Sequence, residues 1–100
     1  MKRKASTSHD DALIRELRDN PRFAVEYLRA ALEEEGEPSV LLIALRRVVQ
    51  ARGIAKIAKT AGVERESLYR ALSKKGNPRL STLAAVTKAV GLRLTVEAAR

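Results

Sequence analysis

Residues 53–72 read GIAKIAKTAGVERESLYRAL and contain the most informative pattern in this chain. The residues before Gly62 have apolar side chains at helical spacing, and Gly62 itself suits a tight turn. The residues after it combine an apolar side with a charged side. Two short helices joined by such a turn form the helix-turn-helix arrangement, in which the second helix enters the major groove of DNA. The pattern therefore predicts a helix-turn-helix at residues 53–72.

The second helix of this pair is predicted to have one side that faces outward. Each helix residue is rotated by about 100° from the previous one, which places Leu68, Ala71 and Leu72 together on the core side. The outward side and its flanks carry Arg65, Glu66, Ser67, Tyr69, Arg70 and Ser73. Arginine can donate two hydrogen bonds to guanine, glutamate can accept one from cytosine, and serine can bond to several bases. These side chains are therefore candidates for reading DNA bases.

A plainer interpretation of the same side chains stays open. Glu66 and Arg70 are four residues apart, which is the spacing of a surface ion pair worth about 0.3–0.5 kcal/mol. Tyr69 can be an ordinary surface ring, or it can offer its hydroxyl group to a phosphate.

Contacts to the DNA backbone are expected from side chains on both sides of the second helix. Such contacts hold the register and make affinity fall steeply with salt. The candidates are Lys56, Lys59, Tyr69, Lys74, Lys75, Asn77 and Arg79. Gly76, Asn77 and Pro78 are also ordinary turn residues, so part of this loop can be structural.

The composition predicts one small domain built from helices. The chain has 100 residues, of which 45% are apolar and only 3% aromatic, so aliphatic side chains must form the core. The longest unbroken apolar run is residues 40–45, far below the roughly 18 residues of a membrane span, so no membrane partner is expected. Residues 1–9 lack the apolar stretch of a secretory signal and are expected to form a disordered basic arm.

No catalytic or metal-binding constellation is visible in the sequence. There is no cysteine, which excludes disulfides and thiolate metal sites and fits a cytoplasmic protein. His9 is the only histidine, and Asp10 and Asp11 beside it are better explained as a cap for the first helix than as metal ligands. We therefore expect neither enzymatic activity nor a cofactor.

Charge is distributed unevenly along the chain. Residues 1–36 carry seven basic and eight acidic side chains, whereas residues 37–100 carry thirteen and four. The second part therefore suits a polyanion such as DNA, and the first part suits a different partner.

Helix start and stop signals recur along the chain and predict an all-α fold. Besides the two helices of the motif, the expected starts are Asp10, Asn20, Ser39 and Ser81, and the expected ends are Asp19, Gly36, Gly53 and Gly91. The side chains expected to face the core are Leu13, Ile14, Leu17, Phe23, Ala24, Tyr27, Leu28, Ala31, Leu32, Leu41, Leu42, Leu45, Val48, Val49, Leu83, Val86, Thr87 and Val90.

Residues 92–96 alternate apolar and polar side chains, which is the pattern of a half-buried strand. A lone strand has unpaired backbone groups and needs a partner. Pairing with its copy in a second subunit would make a two-fold homodimer, with Leu92, Leu94 and Val96 as the dimerisation residues. The alternative is an extended tail that packs on its own domain.

Beyond these patterns, the chain resembles a known family. The matching residues are 65–73 (RESLYRALS), 75–78 (KGNP), 80–83 (LSTL) and 91–94 (GLRL), with 26–28 (EYL), 30–34 (AALEE), 44–46 (ALR) and 51–53 (ARG) upstream. They resemble the addiction-module antidote proteins, which are HigA-like antitoxins of type II toxin–antitoxin pairs with a Cro/repressor-type helix-turn-helix. The resemblance covers about residues 10–97.

The resemblance implies a bacterial, cytoplasmic repressor that binds a palindromic operator in double-stranded DNA and is nucleoid-associated when bound there. It also implies that the protein neutralises a RelE-like mRNA-cleaving toxin and represses its own operon. The base-reading positions then fall on Arg65, Glu66, Ser67 and Arg70. Glu64 stands where the family commonly has a serine that caps the second helix, and Ala55 where a hydroxyl or amide often meets phosphate.

The expected domain organisation follows from these points. Residues 1–9 form the arm, residues 10–36 form N-terminal helices that can bind the toxin, and residues 37–100 form the DNA-binding part with its dimerisation strand. The candidate toxin contacts are the acidic residues Glu33, Glu34, Glu35 and Glu37. A solvated helix end explains the same residues. A stand-alone or prophage-type regulator, and an interaction protein that has lost DNA binding, remain alternative functions.

Overall fold

The computed structural model describes the backbone of residues 4–33 and 37–99, and the side chains of those ranges from residue 10 onward. Within these ranges the chain forms six helices and no strand. The helices are α1 (Lys4–Asp19), α2 (Pro21–Leu32), α3 (Pro38–Arg52), α4 (Ile54–Ala61), α5 (Arg65–Ala71) and α6 (Leu80–Ala89). The predicted all-helical class is confirmed. None of the described helices is long and apolar enough to cross a membrane.

The junction between α1 and α2 follows the predicted capping chemistry. Asn20 has extended backbone angles, and its Oδ1 accepts a hydrogen bond from the backbone N–H of Phe23 at 3.1 Å. Pro21 occupies the first helical position, where its missing N–H costs no hydrogen bond. The start of α1 was predicted too late, because α1 begins at Lys4 and takes in six of the nine residues expected for the arm.

Three other predicted helix ends are wrong. The last residue of α2 is Leu32, whereas the predicted stop, Gly36, lies outside the described residues. Glu37 rather than Ser39 precedes α3, because Pro38 sets the first helical position and leaves Ser39 inside the first turn. Arg79 rather than Ser81 precedes α6, because Arg79 has extended backbone angles and Leu80 is the first helical residue.

The core is formed around α3, which packs against α1, α2 and α4, while α4 also contacts α5 and α6. The largest fully buried side chains are Leu17, Val48, Val49, Leu68, Leu72, Val86 and Val90. Residues on both sides of position 36 share this one cluster. The neutral and basic parts of the sequence therefore differ in charge but share one hydrophobic core.

Leu32 is the inward-facing prediction that is wrong, since its side chain is 64% exposed. Leu32 is the last residue of α2, and it lies beyond the part of α2 that packs against α3. Helical periodicity predicts which side of a helix is apolar, but it does not show how far along that side a neighbour extends.

The predicted strand is also wrong for the described chain. Residues 92–99 have no regular secondary structure, and no other segment of the described residues is a strand that could pair with them. The backbone N–H of Leu92 donates to the carbonyl of Thr87 at 3.0 Å, which ties down the start of this tail. Leu92 is half-buried, whereas Leu94 and Val96 are exposed.

Candidate nucleic-acid interface

A tight turn of residues 62–64 joins α4 to α5. Gly62 has φ 75°, in the left-handed region that glycine adopts without steric cost. Its N–H donates to the carbonyl of Lys59 at 3.2 Å, and the N–H of Val63 donates to the carbonyl of Ala58 at 3.0 Å. This pair of bonds is the Schellman ending of a helix, so the angle at which the chain enters α5 is fixed locally.

Two leucines hold α5 against the core. Leu68 and Leu72 are both 0% exposed, which confirms the core side predicted from the rotation per residue. Because α5 has only seven residues, fixing these two positions fixes which side chains face outward. Glu64 precedes the helix with extended backbone angles, and its side chain makes no capping hydrogen bond.

The four candidate base-reading residues lie together on the outward side of α5. Arg65, Glu66 and Arg70 are exposed, and Ser67 is half-buried. Arg70 donates from Nη2 to Oγ of Ser67 at 3.3 Å. Within the described residues the ion pair is between Arg18 and Asp19, so Glu66 and Arg70 do not form the surface pair considered above.

Tyr69 is held by a residue that the sequence did not point to. The guanidinium carbon of Arg46, on α3, lies 4.9 Å from the centre of the Tyr69 ring. This is the geometry of a cation–π contact, and both side chains are half-buried. Arg46 falls at the edge of the apolar side of α3, which marks it as a boundary residue, but no sequence pattern identifies its aromatic partner.

The candidate phosphate contacts other than Tyr69 are all exposed. Lys56 and Lys59 lie on α4, and the loop after α5 carries Lys74, Lys75, Asn77 and Arg79. A cationic helix and a cationic loop therefore flank α5 in the chain.

Gly76 keeps this loop against the end of α5. Its N–H donates to the carbonyl of Ser73 at 2.9 Å. A Cβ atom at this position would lie 2.1 Å from the carbonyl oxygen of Ala71, so only glycine fits. The loop is therefore a defined structural element and not a loose connection.

The acidic candidates lie between α2 and α3 in the chain. Glu33 caps the end of α2 and Glu37 precedes α3, and both are exposed. Glu34 and Glu35 lie outside the described residues. Glu37 borders a shallow groove of about 520 Å³ between the two helices, whose apolar lining includes Tyr27 and Val40 and whose rim includes Lys74. In the described part of the chain, no three acidic or histidine side chains are grouped as they would be to hold a metal ion.

The fold and these surfaces define a small all-helical protein in which a short helix pair and the loop after it carry seven of the twenty lysines and arginines. The family described as probable addiction module antidote protein matches residues 10–98, and the chain belongs to this family. A curated relative from Haemophilus influenzae, itself described as an uncharacterized protein, is 40% identical over 74 residues, which cover 74% of this chain and 75% of the relative. No solved structure matches the chain. Antidote proteins are normally not enzymes, and the family description implies a toxin partner.

Proposed function

We propose that this protein is the antitoxin of a type II toxin–antitoxin pair and a repressor of its own operon in the bacterial cytoplasm. In this proposal α4 and α5 form a helix-turn-helix, and α5 lies in the major groove of double-stranded DNA. A homodimer binds the two halves of a palindromic operator. The toxin partner is a RelE-like mRNA-cleaving enzyme. Membership of the antidote family supports the antitoxin role.

One observation carries the DNA-binding part of the proposal, namely the outward side of α5. Leu68 and Leu72 anchor the helix, and its exposed arginines and glutamate are not engaged with one another in ion pairs within the described residues. Apart from the hydrogen bond from Arg70 to Ser67, their donor and acceptor groups are therefore available to base edges. The exposed lysines of α4 and of the loop after α5 supply the sequence-independent attraction to phosphate.

The DNA-binding part is tested by titrating salt while measuring affinity for the chain's own promoter. Arg70→Ala is expected to lose about 1–3 kcal/mol of discrimination against altered operator bases. Lys59→Ala is expected to weaken binding to all sequences alike, and to reduce the slope of log K against log salt by about 1.

Arg22→Ala serves as the matched control, because Arg22 is an exposed arginine on α2, in the neutral part of the chain. The operator affinity of the Arg22→Ala variant, and the slope of its log K against log salt, are expected to equal those of the wild type. Unchanged affinity in both Arg70→Ala and Lys59→Ala would exclude the docking of α5 in the groove.

The toxin part of the proposal places the partner at the acidic junction of α2 and α3. Glu33 and Glu37 are exposed there, and Glu37 borders an apolar groove. This combination suits a basic ribonuclease with apolar contact residues. Glu34 and Glu35, between them in sequence, complete the proposed acidic contact.

Co-expression with the adjacent small open reading frame tests this part. A stable complex and rescue of growth are expected, and lysine at all four glutamate positions is expected to weaken the complex without removing the preference for operator over altered sequences. An intact complex after the charge reversal moves the toxin site elsewhere. Operator binding without any toxin complex favours a stand-alone regulator instead.

A further inference from the structure

The C-terminal tail, residues 92–99, leaves a row of backbone groups without partners. After the bond from Leu92 to Thr87, no backbone–backbone hydrogen bond involves residues 93–99 within the described chain. The tail also exposes two large apolar side chains, since Leu94 is 52% and Val96 93% exposed. Exposed backbone groups without partners are a template for pairing with another chain.

The tail has two chemically different sides. If it is extended as a strand, alternate residues point to opposite faces. One face then carries Leu92, Leu94, Val96 and Ala98, and the other carries Arg93, Thr95 and Glu97. In the single chain, residues 91–95 border a groove of about 640 Å³ between α2, α3 and α6 together with the exposed Leu32, so Arg93 and Thr95 line this groove as well as Leu92 and Leu94.

Pairing of two tails around a two-fold axis allows only a few registers. Directly opposite residues in an antiparallel pair share a face, so the axis must pass through one residue position. An axis at residue 95 places Arg93 opposite Glu97 twice, Leu94 opposite Val96 twice, and Thr95 opposite its own copy. Opposite charges, apolar pairs and threonine pairs are the cross-strand combinations that stabilise a sheet.

Neighbouring registers lose the charge match. An axis at residue 94 leaves Arg93 opposite Thr95 and Glu97 opposite Gly91. An axis at residue 96 leaves Glu97 opposite Thr95 and Arg93 opposite Ala99. An axis at residue 93 brings two copies of Arg93 together, which is repulsive. Self-complementarity in one register favours a second copy of this chain over an unrelated partner strand.

We infer that two copies of this protein associate through antiparallel pairing of their tails centred on Thr95, with ion pairs between Arg93 of one copy and Glu97 of the other. The inference rests on the homodimer of the proposed function and specifies its interface. The coil seen in the single chain becomes a strand only when the second copy supplies the missing backbone partners.

The chain has no cysteine, so single cysteines placed along the tail report the register directly. Thr95→Cys is expected to give the highest yield of disulfide-linked dimer under mild oxidation, because opposed Cα atoms lie about 4.5–5.5 Å apart, within disulfide range. Leu94→Cys and Val96→Cys are expected to cross-link less, and Arg93→Cys and Glu97→Cys least, because the copies of those residues are displaced along the strands. Thr60→Cys, an exposed threonine on α4, measures random collision.

A charge exchange tests the ion pairs in the uncross-linked protein. Arg93→Glu is expected to raise the Kd of the dimer by about three- to tenfold, because two favourable pairs become repulsive. Adding Glu97→Arg to the same chain is expected to restore the wild-type Kd in sedimentation equilibrium. The two residues are exposed, so far-ultraviolet circular dichroism is expected to be the same for all three proteins.

Several outcomes would overturn the inference. A cross-linking maximum at position 94 or 96 would indicate a different register. If the protein is dimeric but positions 93–97 cross-link no more than the Thr60→Cys control, the interface lies elsewhere. A chain that is monomeric until toxin is added also overturns the inference. Operator binding is measured separately, so a Thr95-centred dimer that does not bind DNA refutes the proposed function alone, and DNA binding without tail pairing refutes this inference alone.

Discussion

At the scale of single residues, two contacts shape the surface proposed to meet DNA. Gly76 packs against the backbone at the end of α5. Arg46, on α3, covers one side of the Tyr69 ring. Neither residue is a candidate for reading bases, yet each determines where candidate residues are held.

Substitution of Gly76 by alanine is expected to destabilise the protein. The new Cβ would lie 2.1 Å from the carbonyl oxygen and 2.7 Å from the carbonyl carbon of Ala71, so the loop or the end of α5 must move. We expect a loss of about 1–3 kcal/mol of unfolding free energy, as for other overpacked sites, measured by urea denaturation. Asn77→Ala, at the exposed neighbouring position, is the control. A Gly76→Ala protein as stable as the wild type would contradict the close approach.

Removal of the Arg46 guanidinium is expected to release Tyr69. A cation–π contact at a partly exposed site contributes about 0.5–1 kcal/mol, so a double-mutant cycle of Arg46→Ala with Tyr69→Ala should give a coupling energy of that size. Arg47→Ala, at a half-buried neighbour, is expected to show no coupling with Tyr69. If Tyr69 also contacts a phosphate, Arg46→Ala lowers operator affinity by more than the loss of one charge explains.

At the scale of helices, the start of α5 is the weak point of the helix pair. Glu64 has the extended backbone angles of a capping residue, but its side chain leaves the first N–H groups of α5 without a cap. The end of α4, by contrast, is capped by two hydrogen bonds, in which the carbonyl groups of Lys59 and Ala58 accept from the backbone N–H groups that follow the helix. The turn between α4 and α5 is therefore held by hydrogen bonds at the end of α4 but lacks a side-chain cap at the start of α5.

Glu64→Ser is expected to stabilise the protein by about 0.5–2 kcal/mol, because serine accepts a hydrogen bond from the free N–H groups at a helix start. Chemical denaturation measures the change. Glu64→Ala removes the same charge without supplying a cap, so it separates the two effects. Equal stability of the serine and alanine variants would show that position 64 does not act as a cap.

At the scale of the whole molecule, one hydrophobic cluster unites the neutral and basic parts of the chain. Leu17, on α1, is 0% exposed and belongs to the same cluster as Leu68 and Val86. The proposed toxin-binding and DNA-binding surfaces are therefore parts of one packed body, and α1 is docked on α3.

Leu17→Ala is expected to cost about 2–5 kcal/mol of unfolding free energy, the usual range for a buried leucine. Because the core is shared, unfolding is expected to remain a single transition followed equally by circular dichroism and by Tyr69 fluorescence in a Tyr27→Phe background. Leu13→Ala, at a half-buried position on the same helix, should cost less. An early, separate transition in the Leu17→Ala protein would mean that α1 unfolds independently of the basic part.

Local patterns were sufficient to predict much of the fold and the composition of the candidate site. Side-chain periodicity predicted the helices and the core side of α5, since each residue's direction on a helix depends only on its neighbours. The Asn20–Pro21 start of α2 was predicted for the same reason, because a cap acts within three residues. The exposed arginines of α5 follow directly from the burial of Leu68 and Leu72.

Features that depend on contacts beyond a single helix were not predictable in this way. Helical periodicity alone does not reveal that Arg46 meets Tyr69, that Gly76 lies against Ala71, or that Leu32 extends past the surface of α3. The tail after Leu92 has the alternation of a strand, but one chain offers it no partner. A helix satisfies its backbone from within its own segment, so sequence suffices to predict it, whereas a strand and a contact between distant side chains exist only when the fold brings the second partner into place.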